Sequence, residues 1–311
     1  MVGMQREGEA SHPVRATWHR WRSTAACVGI GVLSVVALVW LGDRSQQTRL
    51  GQSLDQAGMD VVVGDQAATR GLVGVLGNVS LGSIAVAVLV LVGTAVVRER
   101  YAAAAAATVL VMGANVTTQA MKALTERADH GYLTVESFPS GHATVVVSLV
   151  FAALVVAPEA VRTTMSLIGS GAITVIAAAT LVASWHRPSD VIGALLVSLA
   201  WGTAVLATWS LLRGGMPGVA SARPHRIFAT TGVVLAVAGL VAGGVRPGRG
   251  WIDFLDAGVV LAGIGLAAAL AVTTFAQLAG PMATGADTAG PTPGAWLGRV
   301  RSWRAPRPGP P

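Results

Sequence analysis

Long apolar runs alternate along this chain with short polar segments rich in arginine. A helix needs about 17–25 mostly apolar residues to cross a bilayer. Eight runs qualify: 24–41, 72–97, 102–121, 141–157, 165–182, 191–212, 227–245 and 257–278. This pattern predicts an all-α, polytopic transmembrane bundle of about eight spans. The polar stretch 43–70 reads as an external segment carrying a surface helix. The tail after Gly280 is rich in Pro, Gly and Thr and reads as disordered. A solvated tail without a role is preferred there over contact of Trp296, Trp303 and the nearby arginines with an anionic leaflet. The chain divides into a cytoplasmic segment 1–23, a core 24–212, two additional spans in 213–280 and a cytoplasmic tail 281–311.

Composition supports lipid as the solvent. Of 311 residues, 53% are hydrophobic and only 12% charged, whereas soluble domains carry about a quarter charged. The net charge of +7 does not indicate a nucleic-acid partner. The basic residues are arginines dispersed between the runs, with one lysine, Lys122. Arginine and lysine concentrate on the cytoplasmic side of membrane proteins. With the N-terminus inside, 14 of the 22 fall in cytoplasmic segments, so both termini are expected in the cytoplasm. The polar residues ahead of the first run, and the lack of a clean cleavage site after it, argue for a retained span rather than a signal peptide. The single cysteine, Cys27, has no intrachain partner and reads as a small apolar side chain.

Two loops then gather the unusual polar residues, and this topology puts both outside. The first holds Lys122, Glu126, Arg127, Asp129 and His130, followed by Ser137-Phe138-Pro139-Ser140-Gly141-His142. The second is Ser184-Trp185-His186-Arg187-Pro188-Ser189-Asp190. Ionisable groups at span ends mark functional sites. The Pro-Ser-Gly-His run opens an apolar helix, whose first N–H groups lack partners and whose dipole is positive there. Glycine lets the backbone approach closely, which makes a phosphate cradle. Ser140 also fits a plain N-cap, and the two readings are compatible. His186 and Asp190 are four apart, on one helical face. A carboxylate holding one imidazole nitrogen leaves the other free to attack. Lys122 and Arg127 supply positive charge for phosphoryl oxygens, against the simpler reading of snorkelling cations.

In this order the pieces resemble the type 2 phosphatidic acid phosphatase (PAP2) superfamily, in its membrane lipid-phosphate phosphatase branch. Its motifs are lysine, six residues, Arg-Pro; then Pro-Ser-Gly-His; then Ser-Arg, five residues, His, three residues, Asp. The second is whole here at Pro139, Ser140, Gly141 and His142. The third survives in its second half. The first is degenerate, since Arg127 follows Lys122 after four residues and Ala128 replaces the proline. Thr180 occupies the position of the third-motif arginine. One preorganised charge contact commonly carries about 10²–10³ in rate, so reduced turnover is expected.

The resemblance covers roughly residues 70–212 and implies a six-helix phosphatase core, with the last two spans outside it. It implies His186 as nucleophile, Asp190 as its orienting carboxylate and His142 as the acid at the leaving oxygen. Phosphate would be held by Lys122, Arg127, Ser140 and Gly141, with Arg187 adding charge from outside the motif. The implied reaction needs no metal and no cofactor. Its substrate is a lipid phosphate or prenyl diphosphate, such as undecaprenyl diphosphate, cleaved at the external face of a cell membrane through a phosphohistidine. The composition suggests a GC-rich bacterium. The alternative is a non-catalytic lipid-phosphate binder or transporter that keeps the fold. Oligomeric state is left open.

Overall fold

The computed structural model describes residues 13–132, 137–213, 215 and 221–283. The expectations for 1–12 and for the tail from 284 onward, with Trp296 and Trp303, lie outside these residues. In chain order the elements are α1 (Pro13–Gln47), α2 (Arg49–Asp60), β1 (Val62–Gly64), α3 (Gln66–Gly77), α4 (Leu81–Val97) and α5 (Tyr101–Leu124). They continue with α6 (Gly141–Val156), α7 (Glu159–Val182), α8 (Pro188–Arg213), α9 (Ala222–Ala242), β2 (Val245–Pro247) and α10 (Phe254–Ala283). The all-α polytopic bundle is borne out.

Six of the eight expected spans are single helices long and apolar enough to cross a bilayer: α1, α5, α7, α8, α9 and α10. The other two differ from expectation. The run 72–97 is not one rod, because α3 ends at Gly77 and α4 restarts after Ser80 at an angle of 58°. Ser80 and Ser83 form a reciprocal capping box that begins a new helix there. The run 141–157 becomes α6, whose 16 residues extend about 24 Å at ~1.5 Å per residue. That is shorter than the ~30 Å hydrocarbon layer. This helix has no polar face, and such helices belong to the core. It packs against α4, α5, α7, α8 and α10.

The last helix is part of the same packing. Phe275 of α10 stacks on Phe151 of α6, with centroids 4.3 Å apart and an 11° interplanar angle. One end of the bundle is tied by cations. Arg100 donates to the carbonyls of Val155, Val156 and Met282, the last turns of α6 and α10. Cations suit helix C-termini, where carbonyls lack partners and the dipole is negative. Arg162 donates to the carbonyl of Ala276.

At the opposite end α2 is the expected surface helix, capped by Thr48, whose side chain accepts from Gly51 N–H. The short strand β1 pairs antiparallel with β2, with Val63 opposite Arg246. Asp65 caps α3 and accepts an ion pair from Arg246 at 2.7 Å. This ribbon links the segment after α2 to the α9–α10 connection.

Candidate active site

The site is built at the end of the bundle that carries α2, where α1, α5 and α7 finish and α6 and α8 begin. Its first component is the start of α6. Phe138 is buried against Leu38 and Val197. Gly42 and Gly193 make room for its ring: a Cβ would lie 3.0 Å from the ring at Gly42 and 2.6 Å at Gly193. The next peptide, Phe138–Pro139, is cis. Ser140 is fully buried, and its Oγ accepts the Ala143 N–H at 3.3 Å. It is therefore the N-cap, one of the two readings open in the sequence. Ser140 N–H donates to the Asp190 carbonyl at 2.9 Å, joining the two sequence motifs directly.

The second component is the turn between α7 and α8. Ser184 adopts a left-handed φ of 55°. Around it the N–H of Ser184 donates to Leu181 C=O, and that of Trp185 to Thr180 C=O. This pair of bonds is a Schellman motif, which satisfies the last carbonyls of α7. His186 N–H donates to the same Thr180 carbonyl at 3.2 Å. Thr180 thus anchors the backbone of the His186 turn, where the resemblance placed an arginine.

His186 is 7% exposed, with Nδ1 3.3 Å from Asp190 Oδ2. That oxygen also accepts Arg187 N–H at 2.9 Å, so the carboxylate is held from two sides. Asp190 thus engages Nδ1 of the ring and not Nε2. The His142 and His186 ring centroids lie 6.1 Å apart, inclined by 64°. Trp185 covers His142 from another side, with centroids 5.5 Å apart.

Cations surround the two rings. A Cβ at Gly141 would lie 3.7 Å from Lys122 Nζ and 3.7 Å from Gln119 Nε2, so the lysine ammonium and the glutamine amide both stand over the start of α6. Arg127 is 6% exposed. Its Nη1 donates to Gln46 Oε1 at 3.3 Å, while buried Nε and Nη2 have no hydrogen-bond partner among the described residues. Burial first, then the like charge of Arg187, holds its guanidinium below the ordinary arginine range, against the opposing pull of Asp190 and Asp55. Arg187 is buried and donates to Ser137 Oγ at 3.1 Å. His130 turns elsewhere, its Nε2 3.0 Å from the Gln47 carbonyl.

All eight expected site residues therefore gather at one end of the bundle. The sequence reading gave no role to the residues that support them, Gln46, Gln52, Asp55 and Ser189, or to Gln119 beside Gly141. Gln52 Nε2 donates to the carbonyls of Gln46 and Ala128, pinning the loop that carries Arg127. Gln52, Asp55, Gly58 and Met59 are the buried residues of α2. Their helical spacing was a readable signal of a covered polar face. Among the described residues no three His, Cys, Asp or Glu side chains group as metal ligands. An apolar groove of about 920 Å³ runs along α9 and α10, and none of the eight site residues lines it.

Residues 107–213 match the family model of the PAP2 superfamily. This bears out the resemblance read from the motifs, and the superfamily's members are phosphatases. No curated protein and no solved structure matches the chain.

Proposed function

From a chain that carries a PAP2 superfamily segment over residues 107–213, we propose a membrane phosphatase that hydrolyses a lipid phosphate or prenyl diphosphate through a phosphohistidine. The observation that carries this reading is the approach of two imidazoles to 6.1 Å beside Lys122, Arg127 and Arg187. A single phosphorus between the rings lies within reach of both. The unpartnered N–H groups of Arg127, and the like charge of Arg187 facing it, suit an oxyanion between them.

His186 Nε2 attacks phosphorus and the bond to the leaving oxygen breaks. Protonated His142 gives its proton to that oxygen. Asp190 stabilises the positive charge that grows on the attacking ring. Water then attacks the phosphohistidine, His142 takes its proton, and the P–N bond breaks to give phosphate and free His186. Lys122 over Gly141, the N–H groups of the first turn of α6 and Arg127 hold the equatorial oxygens. The substrate is a lipid because the site lies at a bundle end flanked by apolar span surface. It faces outward by the distribution of arginine, with both termini in the cytoplasm.

The test is phosphate release from a lipid phosphate in detergent micelles. Wild type releases phosphate and His186→Ala releases none. Release at the wild-type rate from His186→Ala overturns the mechanism. Binding of a lipid phosphate by wild type without any release establishes the alternative, a non-catalytic binder.

A further inference from the structure

The geometry points to Asp55 as a positioning residue of this site, one that fixes the first turn of α8 through Ser189 and thereby sets the carboxylate that holds His186. This rests on the reading of His186 as the nucleophile. Asp55 belongs to none of the three motifs and lies outside the segment matched to the family. It is 7% exposed, on the helix that lies across this end of the bundle.

Its Oδ1 accepts the Ser189 N–H at 3.1 Å, and its Oδ2 accepts the Ser189 hydroxyl. Ser189 is the second residue of α8. The first N–H groups of a helix have no intrahelical partner, and Pro188 brings none. A carboxylate there satisfies an orphan donor and meets the positive end of the dipole. Asp55 is thus an N-terminal cap supplied from a different helix. The residue it holds is the immediate neighbour of Asp190. Asp190 Oδ1 has no hydrogen-bond partner among the described residues. Its aim therefore depends on its two Oδ2 contacts and on the backbone that Asp55 fixes. The charged groups facing Asp55 are Asp190 and Arg127.

The rest of the fold braces α2 for this task. Gly58 allows the contact with α8, since a Cβ there would meet Pro188 Cγ at 2.8 Å. Gly248 N–H donates to the Val61 carbonyl at 3.0 Å, just past the end of α2. That bond and the β1–β2 ribbon secure α2 to the α9–α10 connection. The α9–α10 connection acquires a role in this way: it holds the helix that holds the head of α8.

The experiment uses the full chain in detergent and follows two signals. One is the rate of carbethoxylation of His186 by diethyl pyrocarbonate at a fixed pH, relative to His130 in the same chain and read by peptide mass spectrometry. It requires no turnover. The other is phosphate release from a lipid phosphate. Asp55→Ala is expected to lower the relative labelling rate several-fold, because a displaced Asp190 no longer holds Nδ1 and sets the ring. It is also expected to lower kcat about tenfold with KM unchanged. Asp55→Asn keeps an oxygen for Ser189 and restores most of both. A folded Asp55→Ala with the wild-type labelling rate overturns the proposal. Should Asp55→Ala not fold, the near-isosteric Asp55→Leu, which also removes both acceptor oxygens, decides: a lowered rate supports the proposal and an unchanged one overturns it. If wild type releases no phosphate, the hydrolase reading falls while the labelling still judges Asp55.

Discussion

On the proposed reading single side chains carry the chemistry, and their environments say what each replacement should do. Arg127 brings to the cationic cluster two buried nitrogens without a hydrogen-bond partner among the described residues. Arg127→Ala is expected to lower kcat by about 10²–10³, the usual effect of losing a preorganised charge contact. Arg127→Lys fails to restore it, because an ammonium cannot reproduce the planar fork. Steady-state kinetics check both. Asp55 gives a pH signature. Burial pushes its carboxyl from the ordinary carboxylate value of 3.8 up to about 6. Between these values the unfolded chain has released a proton that the folded protein still holds. This group therefore subtracts stability as pH rises through that window, and the loss is complete and level above about 6. Thermal melts of wild type and Asp55→Asn across the window should show the Asn variant without that decline, and parallel curves would contradict the assignment. The pairing of His186 with Asp190 was legible in the sequence because the two stand one helical turn apart, and His142 stood out as the end of a whole Pro-Ser-Gly-His run. Asp55 was not, since its partner Ser189 lies 134 residues away.

At the scale of elements, continuous hydropathy concealed what caps and packing reveal. The run 72–97 reads as one span because its residues are apolar throughout, yet Ser80 and Ser83 divide it. Apolar content sets where a helix lies, and capping sets where it starts. The run 141–157 reads as a span of the ordinary kind, but α6 is a short central helix that begins inside the site. Gly193 shows how tightly the elements are fitted around that start. Gly193→Ala would place a methyl 2.6 Å from the Phe138 ring. Overpacking of this kind costs about 1–3 kcal/mol. It should also push the Pro-Ser-Gly-His segment away from His186. The expected result is a lower melting temperature together with a lower kcat; wild-type values for both would show that the ring yields freely.

For the whole molecule, the even spacing of apolar runs made a polytopic bundle legible, and the ends of that bundle came with it. The helix ends that carry His142, His186, Lys122 and Arg127 share one end with the ribbon of β1 and β2, while Arg100 and Arg162 lie at the other. The sequence did not reveal how α10 enters the core, because the Phe151–Phe275 stack joins positions distant in the chain. Sidedness is open to direct measurement, since the native Cys27 is buried and gives a quiet background. With the site outside, a membrane-impermeant maleimide labels Trp251→Cys in intact cells, and labels Arg98→Cys only after lysis. The reverse pattern places the site in the cytoplasm. The central claim is that two imidazoles act on one phosphorus, and a rapid-quench experiment with a phosphoryl-labelled lipid phosphate tests it most directly. The account predicts a transient phosphoryl group on His186, mapped by mass spectrometry and absent from His186→Ala. Steady phosphate release with no phosphoryl group on His186 at any quench time would contradict it.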